Sequence, residues 1–369
     1  MLLRQLVKFA SVGLALGIIG CGQPETGVEA EAKSSQAQQA TLVQLDGPTM
    51  GSQYHLSLVP GPAGLPADAK QQVEALLAEL DSQFSTWRDD SEIARFNQLG
   101  ANGRLPVSAA VAEVARTARQ IGEASGGALD ISVMPLLRLW GFTAGSKPLA
   151  TLPDAASIDA ALAVVGQERW SVQGQQLSKT EAGVELEFSA LVAGYAADRL
   201  AERVERWGVD NYLLDVTGEM RVKGQHPQGR PWRVAVEKPE PGLERAVERI
   251  IDLHDTGMAT SGDYRNFQLV NGKRYSHTLD PRSGRPVEHP LVSATVLAPS
   301  AMVADAWATA LLAMGPDQAM AMAELNNLAV LLILRDGEAF NEWASSAFNA
   351  YVEQGTAAKT AADEGAKAH

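Results

Sequence analysis

From Ala301 to Pro316 the chain reads AMVADAWATALLAMGP, and Asp305 is the only charge in it, with Thr309 four residues further on. A helix so apolar belongs inside a core, and two positions four apart share one of its faces. A buried carboxylate without a partner is costly, so helix N–H groups, an arginine or a metal ion must meet Asp305. Carboxylate and hydroxyl oxygens suit Mg²⁺ or Ca²⁺ better than zinc. Capping of the first helical turn by Asp305 is the simpler account of the spacing. Gly315-Pro316 closes this helix, another follows to about Leu325, and Ala329–Leu334 reads as the final core strand.

The stretch Thr256–Pro286 carries the densest polar chemistry. Gly262, Gly272, Pro281, Gly284 and Pro286 divide it into tight turns, and Arg265–Val270 and Arg274–Thr278 form a hairpin at Asn271-Gly272. His277 and Asp280 leave the second strand together at a loop, where catalytic groups often sit. An isolated histidine is more often structural.

Elsewhere, Leu42–Leu45 and Gln53–Val59 alternate as strands around a loop at Asp46–Gly51, and Ala67–Phe84 is amphipathic. Ser108 caps a helix to about Ala124 that Gly126-Gly127 ends. Asp130, in GALDISVMPLLRLWGF, has the look of a turn or capping residue. Leu149–Gly166 reads as a surface helix entered through Pro153-Asp154, and Arg169–Phe188 as three short strands. In Ser189–Trp207 apolar residues recur every four positions, which predicts a helix from about Ala190 whose start offers free N–H groups to an anion. Strands follow at Asn211–Val216, Glu219–Val222, Trp232–Glu237, Arg249–His254 and Leu291–Ala298, with spacings that allow antiparallel pairing.

The 369 residues suffice for one large domain or two smaller ones, and a formal charge of −13 argues against a nucleic-acid partner. At the amino end Arg4 and Lys8 precede an apolar run from Phe9 to Ile19, too short to span a bilayer comfortably but suited to an export signal. The run ends in Ile18-Ile19-Gly20-Cys21, which resembles a bacterial lipobox. Cys21 is the one cysteine in the chain. This resemblance implies a signal peptide over 1–20, lipidation of Cys21, and a body held at a bacterial membrane facing the periplasm. Residues 21–40 read as a flexible tether, 41–351 as the folded domain and 352–369 as a disordered tail.

The six histidines show no HExxH or other compact ligand spacing. Neither GxxxxGK[ST], nor GxSxG, nor GxGxxG after a strand occurs.

Taken in order, PTMGSQY, FSTWRDDSEIARFN, GALDISVMPLLRLWGF, SALVAGYAADRLAE, ATSGDYRNF, RYSHTLDPRSGRPVEH and ADAWATALLAMG resemble the ApbE family of FAD:protein FMN transferases. The resemblance implies a mixed α/β (α+β), T-fold-like body of largely antiparallel sheets packed with helices. It implies transfer of the FMN half of FAD to a threonine or serine hydroxyl of an acceptor protein, with Mg²⁺ required and AMP released. FAD contacts would fall on Met50, Trp87, Ala128, Leu129, Asp130, Glu187, Ala193 and Leu279, with Arg265 a further phosphate contact. Mg²⁺ would be held by the Ala190 carbonyl, Asp305 and Thr309. His277 would be the general base, aided by Asp280. Acceptors would be flavin-carrying subunits of Rnf-type or sodium-translocating NADH:quinone reductase complexes. Many members have lysine at Ala193 and aspartate at Glu187, and some an acid at Ala308. The alternatives are a FAD pyrophosphatase, in which water attacks the same phosphorus, and a flavin-binding lipoprotein with no chemistry.

Overall fold

A computed structural model describes residues 41–143, 145–239, 247–264 and 266–353, without the side chains of Val247 and Glu248. The expected signal peptide and tether, Cys21, Arg265 and everything past 353 lie outside the described residues.

A hairpin opens the fold, β1 (Val43–Thr49) against β2 (Ser52–Val59), with Met50 and Gly51 at positive φ of 47° and 73°. That is the turn geometry whose twist suits a two-residue hairpin. Pairing runs from Val43↔Leu58 to Thr49↔Ser52, so most of the loop expected at Asp46–Gly51 is strand. Pro48 is accommodated because β1 is the edge of its sheet. After β2 come α1 (Ala69–Phe84) and the short α2 (Glu92–Asn97), too brief to show a periodicity. Next are β3 (Arg104–Pro106) and α3 (Ala109–Ala124), where the Ser108 hydroxyl accepts the Val111 N–H at 3.2 Å.

Two short helices follow, α4 (Met134–Leu139) and α5 (Ala155–Leu162). The second covers only the middle of the expected helix, because the Asp154 carboxylate caps it at Ser157 N–H and its end breaks into turns at Val164 and Val165. Strands β4 (Trp170–Gln173) and β5 (Gln176–Lys179) join β3 in a three-stranded sheet. The third strand expected before Phe188 does not form. Asn97 instead brackets Leu186 with two side-chain hydrogen bonds, of 2.9 and 2.8 Å, and Val133 bridges Glu185.

From α6 (Ser189–Arg206) the chain runs into β6 (Asn211–Val216), β7 (Glu219–Lys223), β8 (Trp232–Glu237), β9 (Val247–Leu253) and β10 (Thr256–Gly262). The hairpin of β11 (Phe267–Val270) and β12 (Lys273–Ser276) turns at Asn271-Gly272, as the sequence predicts. Short strands β13 (Leu279–Asp280) and β14 (Arg285–Pro286) precede β15 (Leu291–Ala298), α7 (Ala301–Met314), α8 (Pro316–Leu325), β16 (Ala329–Asp336) and β17 (Ala339–Ala344). Two of these strands correct the sequence reading. Strand β10 lies where turns were expected, and β17 follows the supposed last strand. Residues 346–353 are helical, with Tyr351 and Val352 packed on the core, so the fold continues past the expected boundary at 351.

Eight strands make one sheet in the order β1-β2-β6-β7-β10-β15-β16-β17, antiparallel at every pairing. This confirms the mixed α/β architecture with a largely antiparallel sheet. Helix α7 buries twelve of its fourteen residues, Asp305 among them. Its start is wedged between α6 and β10: a Cβ on Gly194 would come within 2.4 Å of the Ala301 carbonyl oxygen, and one on Gly257 within 2.4 Å of the Ala301 nitrogen. That close approach explains why β10 is built of small residues, the composition that made it read as a turn. Gly194→Ala should therefore destabilise the fold by about 1–3 kcal/mol, the usual range for overpacking. Denaturant melts of the two proteins measure the difference.

Candidate active site

Two clefts meet at the start of α6. The larger, of about 610 Å³, is walled by Met50, Trp87, Phe188, Val192, Ala193 and Glu187. Its floor is aromatic, with Phe84 edge-on to Phe188 at 5.6 Å and to Tyr195 at 6.2 Å. Trp87 stands at the rim, 77 % exposed. The turn that carries it is tied across its base, where Ser91 caps α2 and donates to the Ser85 carbonyl at 2.6 Å.

The second cleft, of about 330 Å³, is lined by Ala128–Asp130, Ala190, His277, Leu279, Asp305 and Thr309, and shares Glu187 and Ser189 with the first. The segment through Asp130 reaches Glu187 because Glu187 N–H donates to the Ile131 carbonyl at 2.7 Å. Eleven expected site residues from six separate stretches of sequence thus face one connected space, with Ala193 making a twelfth.

Asp305 does not cap α7. The Ser300 hydroxyl accepts the Val303 N–H at 3.3 Å, and Asp198 on α6 takes the N–H groups of Ala301 and Met302 at 2.9 and 3.0 Å. With the first turn already satisfied, Asp305 points from the second turn into the cleft. The hydrogen bond recorded for it is a long one, 3.3 Å from Gly194 N–H. Burial drives its carboxyl well above the ordinary carboxylate range, and the charges of Glu219 and Glu187 push it further; only the Gly194 N–H acts against them. One helical turn on, the Thr309 hydroxyl bonds that of Ser261 at 3.1 Å.

A carboxylate buried among like charges gains from a cation placed beside it. Among the described residues no three His, Cys, Asp or Glu converge on a point. A single carboxylate with a hydroxyl and a backbone carbonyl therefore suits a hard ion such as Mg²⁺, which keeps several of its waters. The residues fit the expected metal.

His277 is oriented from behind. Its Nδ1 lies 3.0 Å from the Asn266 carbonyl oxygen, which can only accept, so Nδ1 carries the proton and Nε2 keeps a free lone pair. The ring packs edge-on to Phe142 at 6.3 Å. Burial lowers its pKa below the ordinary 6.5, opposed only by the Asn266 bond. The neutral tautomer is thus the resting form near neutral pH, in a side chain that lines the cleft.

Asp280 departs from its expected role. Its carboxylate accepts the Arg282 backbone N–H at 2.9 Å and two guanidinium bonds at 2.8 and 3.1 Å, so it builds the turn after β13 and does not line the cleft. Asp130 does make the turn its sequence suggests, accepting from Ser132 N–H at 2.8 Å and Ser132 hydroxyl at 2.7 Å, while also lining the cleft. Burial raises its carboxyl, and Ser132 restrains the rise. The α6 start differs from the open anion site expected of it. Glu187 already receives the Ser189 N–H and hydroxyl at 2.9 and 2.7 Å, and burial raises the Glu187 carboxyl. Asn266, which sets the His277 tautomer, went unmarked in the sequence because a backbone carbonyl leaves no residue-type signal.

The ApbE family model matches residues 50–332. The chain belongs to the ApbE family. It is 37% identical over 349 residues to the FAD:protein FMN transferase of Escherichia coli K12, covering 94% of this chain and 97% of that protein. With the FAD:protein FMN transferase of Vibrio cholerae serotype O1 it shares 39% identity over 318 residues, 85% of this chain and 94% of the relative. The crystal structure of Pseudomonas stutzeri flavinyl transferase ApbE in its apo form superposes with a TM-score of 0.77 at 39% identity, covering 85% of this chain and 97% of that one. The ApbE protein of Thermotoga maritima superposes at 0.75 with 25% identity, over 85% and 99% of the respective chains.

Proposed function

We propose that this protein transfers the FMN moiety of FAD to a threonine or serine hydroxyl of an acceptor protein, releasing AMP, with Mg²⁺ held by Asp305, Thr309 and the Ala190 carbonyl. The relatives named FAD:protein FMN transferase support the overall reaction. The observation that carries the assignment of residues is the convergence of a correctly tautomerised His277 with an under-satisfied, buried Asp305 in one cleft.

In this reaction the acceptor hydroxyl oxygen forms a bond to the FMN-side phosphorus while the phosphoanhydride P–O bond breaks and its electrons leave with AMP. His277 Nε2 takes the hydroxyl proton. The larger cleft, with its aromatic floor and the exposed Trp87, offers stacking surface to a planar ring. When bound, Mg²⁺ neutralises charge on the phosphate oxygens. Asp305 would hold that cation beside the phosphates, so the offset is local and a chain of net charge −13 can take an anionic substrate.

The reading extends to a Cys21-lipidated protein facing the periplasm, acting on flavin-carrying subunits of Rnf-type or sodium-translocating NADH:quinone reductase complexes. Protein lacking residues 1–21, given FAD, Mg²⁺ and such an acceptor domain, should increase the acceptor mass by one FMN and release AMP. Free FMN with an unmodified acceptor would identify a pyrophosphatase instead, and unchanged FAD a flavin-binding protein without chemistry.

A further inference from the structure

We infer that the acceptor polypeptide docks as an added strand on the open edge of β10 at Thr260–Gly262, which presents its hydroxyl to the cleft that His277 lines. The inference rests on the transfer reading given above. Strand β10 is better covered on one side than on the other. Against β15 it pairs from Gly257↔Ala298 to Gly262↔Ser293. Against β7 the pairing runs only from Thr256↔Val222 to Met258↔Met220. Among the described residues no strand pairs with β10 on that side beyond Met258.

One hydrogen bond fixes the direction of the backbone groups along this edge. Asp263 N–H donates to the Val292 carbonyl at 3.1 Å, continuing the register of β10 with β15. Successive residues of an antiparallel strand alternate between bonding to the partner and facing away from it. Ser261 therefore turns its N–H and C=O toward β15, as Asp263 does, and Thr260 and Gly262 turn theirs to the opposite side. The hydroxyls of Thr260 and Thr295 lie 2.9 Å apart, which agrees, because side chains come closest at pairs that exchange no backbone bonds. Continued by two residues, the β7 register would set Gly218 against Thr260. Gly218 N–H instead donates to the Asp215 carboxylate at 2.8 Å, and the ladder ends there. A strand edge with open N–H and C=O groups is a template for another extended chain.

This edge lies at the reaction centre. Ser261 faces α7, its hydroxyl 3.1 Å from that of Thr309, so Thr260 belongs to the other face of the sheet, with Met258. On that face a third cleft, of about 340 Å³, is lined by Gln53, Gly218, Met258, Thr260 and Gly262. Thr260 and Gly262 also line the cleft of His277 and Asp305, so the edge of β10 borders both spaces. The flavin ring has its stacking surface in the larger cleft beside Trp87, and of the two substrates only the acceptor carries a backbone that can complete a ladder. A strand laid along Thr260–Gly262 points alternate side chains to the two faces. A threonine or serine on the α7 face then enters the space that His277 lines, and its two neighbours enter the third cleft.

The test is a scan of single backbone N-methylations along a synthetic peptide that spans the flavin-bearing threonine of an acceptor subunit, given to the protein with FAD and Mg²⁺. Each methyl removes one N–H donor. Transfer should fall by about ten-fold when the methyl sits on alternate residues around the threonine, the cost of one lost backbone bond with its partner left unsatisfied, and should hold on the residues between. The sensitive set reports the direction of the added strand. Thr260→Pro should raise the KM for the peptide by about ten-fold while FAD affinity and melting temperature stay near those of the parent, since an outward N–H serves no bond within the sheet. Sensitivity that does not alternate, or none, overturns the inference, as does an unchanged KM in Thr260→Pro. Should that variant fail to fold or lose FAD affinity, the scan decides. Transfer to an intact acceptor domain with none to the peptide also overturns the inference, because a strand docked through its own backbone carries its recognition with it. If the domain too stays unmodified, the transfer reading itself fails.

Discussion

Asp305→Asn is expected to abolish Mg²⁺-dependent FMN transfer while making the metal-free protein more stable at neutral pH. The two effects have one origin. In the fold the Asp305 carboxyl titrates well above its ordinary 3.8, chiefly through burial and then through Glu219 and Glu187. A group whose pKa is raised by folding binds its proton more tightly in the folded state, so the unfolded state gains as pH rises past 3.8 and the group ionises there first. The parent protein without metal should lose stability over that rise, and the amide variant should not. With the carboxylate gone, Mg²⁺ affinity should fall by more than about a hundred-fold, beyond what loss of a supporting residue costs. Paired melts of both proteins across pH, with and without Mg²⁺, check the prediction. A variant no more stable than the parent in the absence of metal would show that Asp305 is satisfied by protein groups alone.

His277→Ala should reduce the transfer rate by about 10²- to 10⁴-fold, the contribution of a positioned general base, while FAD affinity stays near that of the parent. The pH profile adds an independent check. Burial lowers the folded-state pKa below 6.5, so Nε2 remains unprotonated into mildly acidic solution, and the acid limb of kcat/KM should lie below that value. Stability carries the same sign: below 6.5 the unfolded chain takes up the proton first, and His277 withdraws stability as pH falls toward its folded pKa. An acid limb at or above 6.5 would assign the base elsewhere.

Residue pattern alone revealed much of this arrangement, and the failures have identifiable causes. Asp305 and Thr309 stood out because a charge in an apolar helix demands a partner, and the Asn271-Gly272 hairpin because two adjacent residues tolerate positive φ. Strand β10 was hidden by its small residues, which answer to the approach of α7 and not to strand propensity. In β17 the exposure of Asn341, Glu342 and Trp343 removed the alternation that marks a half-buried strand. The family resemblance supplied Met50, Trp87 and Leu279, whose residue types carry no chemistry of their own. It could not reveal that Asp280 is committed to Arg282, a contact between neighbours that only the turn geometry displays.

Strand β2 finds its partner β6 only after the whole of 60–210 has been accommodated. Trp87, Asp130 and Glu187 ride on that excursion, whereas Met50 turns the β1–β2 hairpin, His277 lies between β12 and β13, and Asp305 sits on α7. Bringing such distant segments together is the slow part of folding for any chain. An intermediate that has formed its hairpins and helices but has not joined β2 to β6 holds half a flavin site on each side of an open seam. Flavin capture during refolding should therefore lag behind secondary structure and report the closing of that seam.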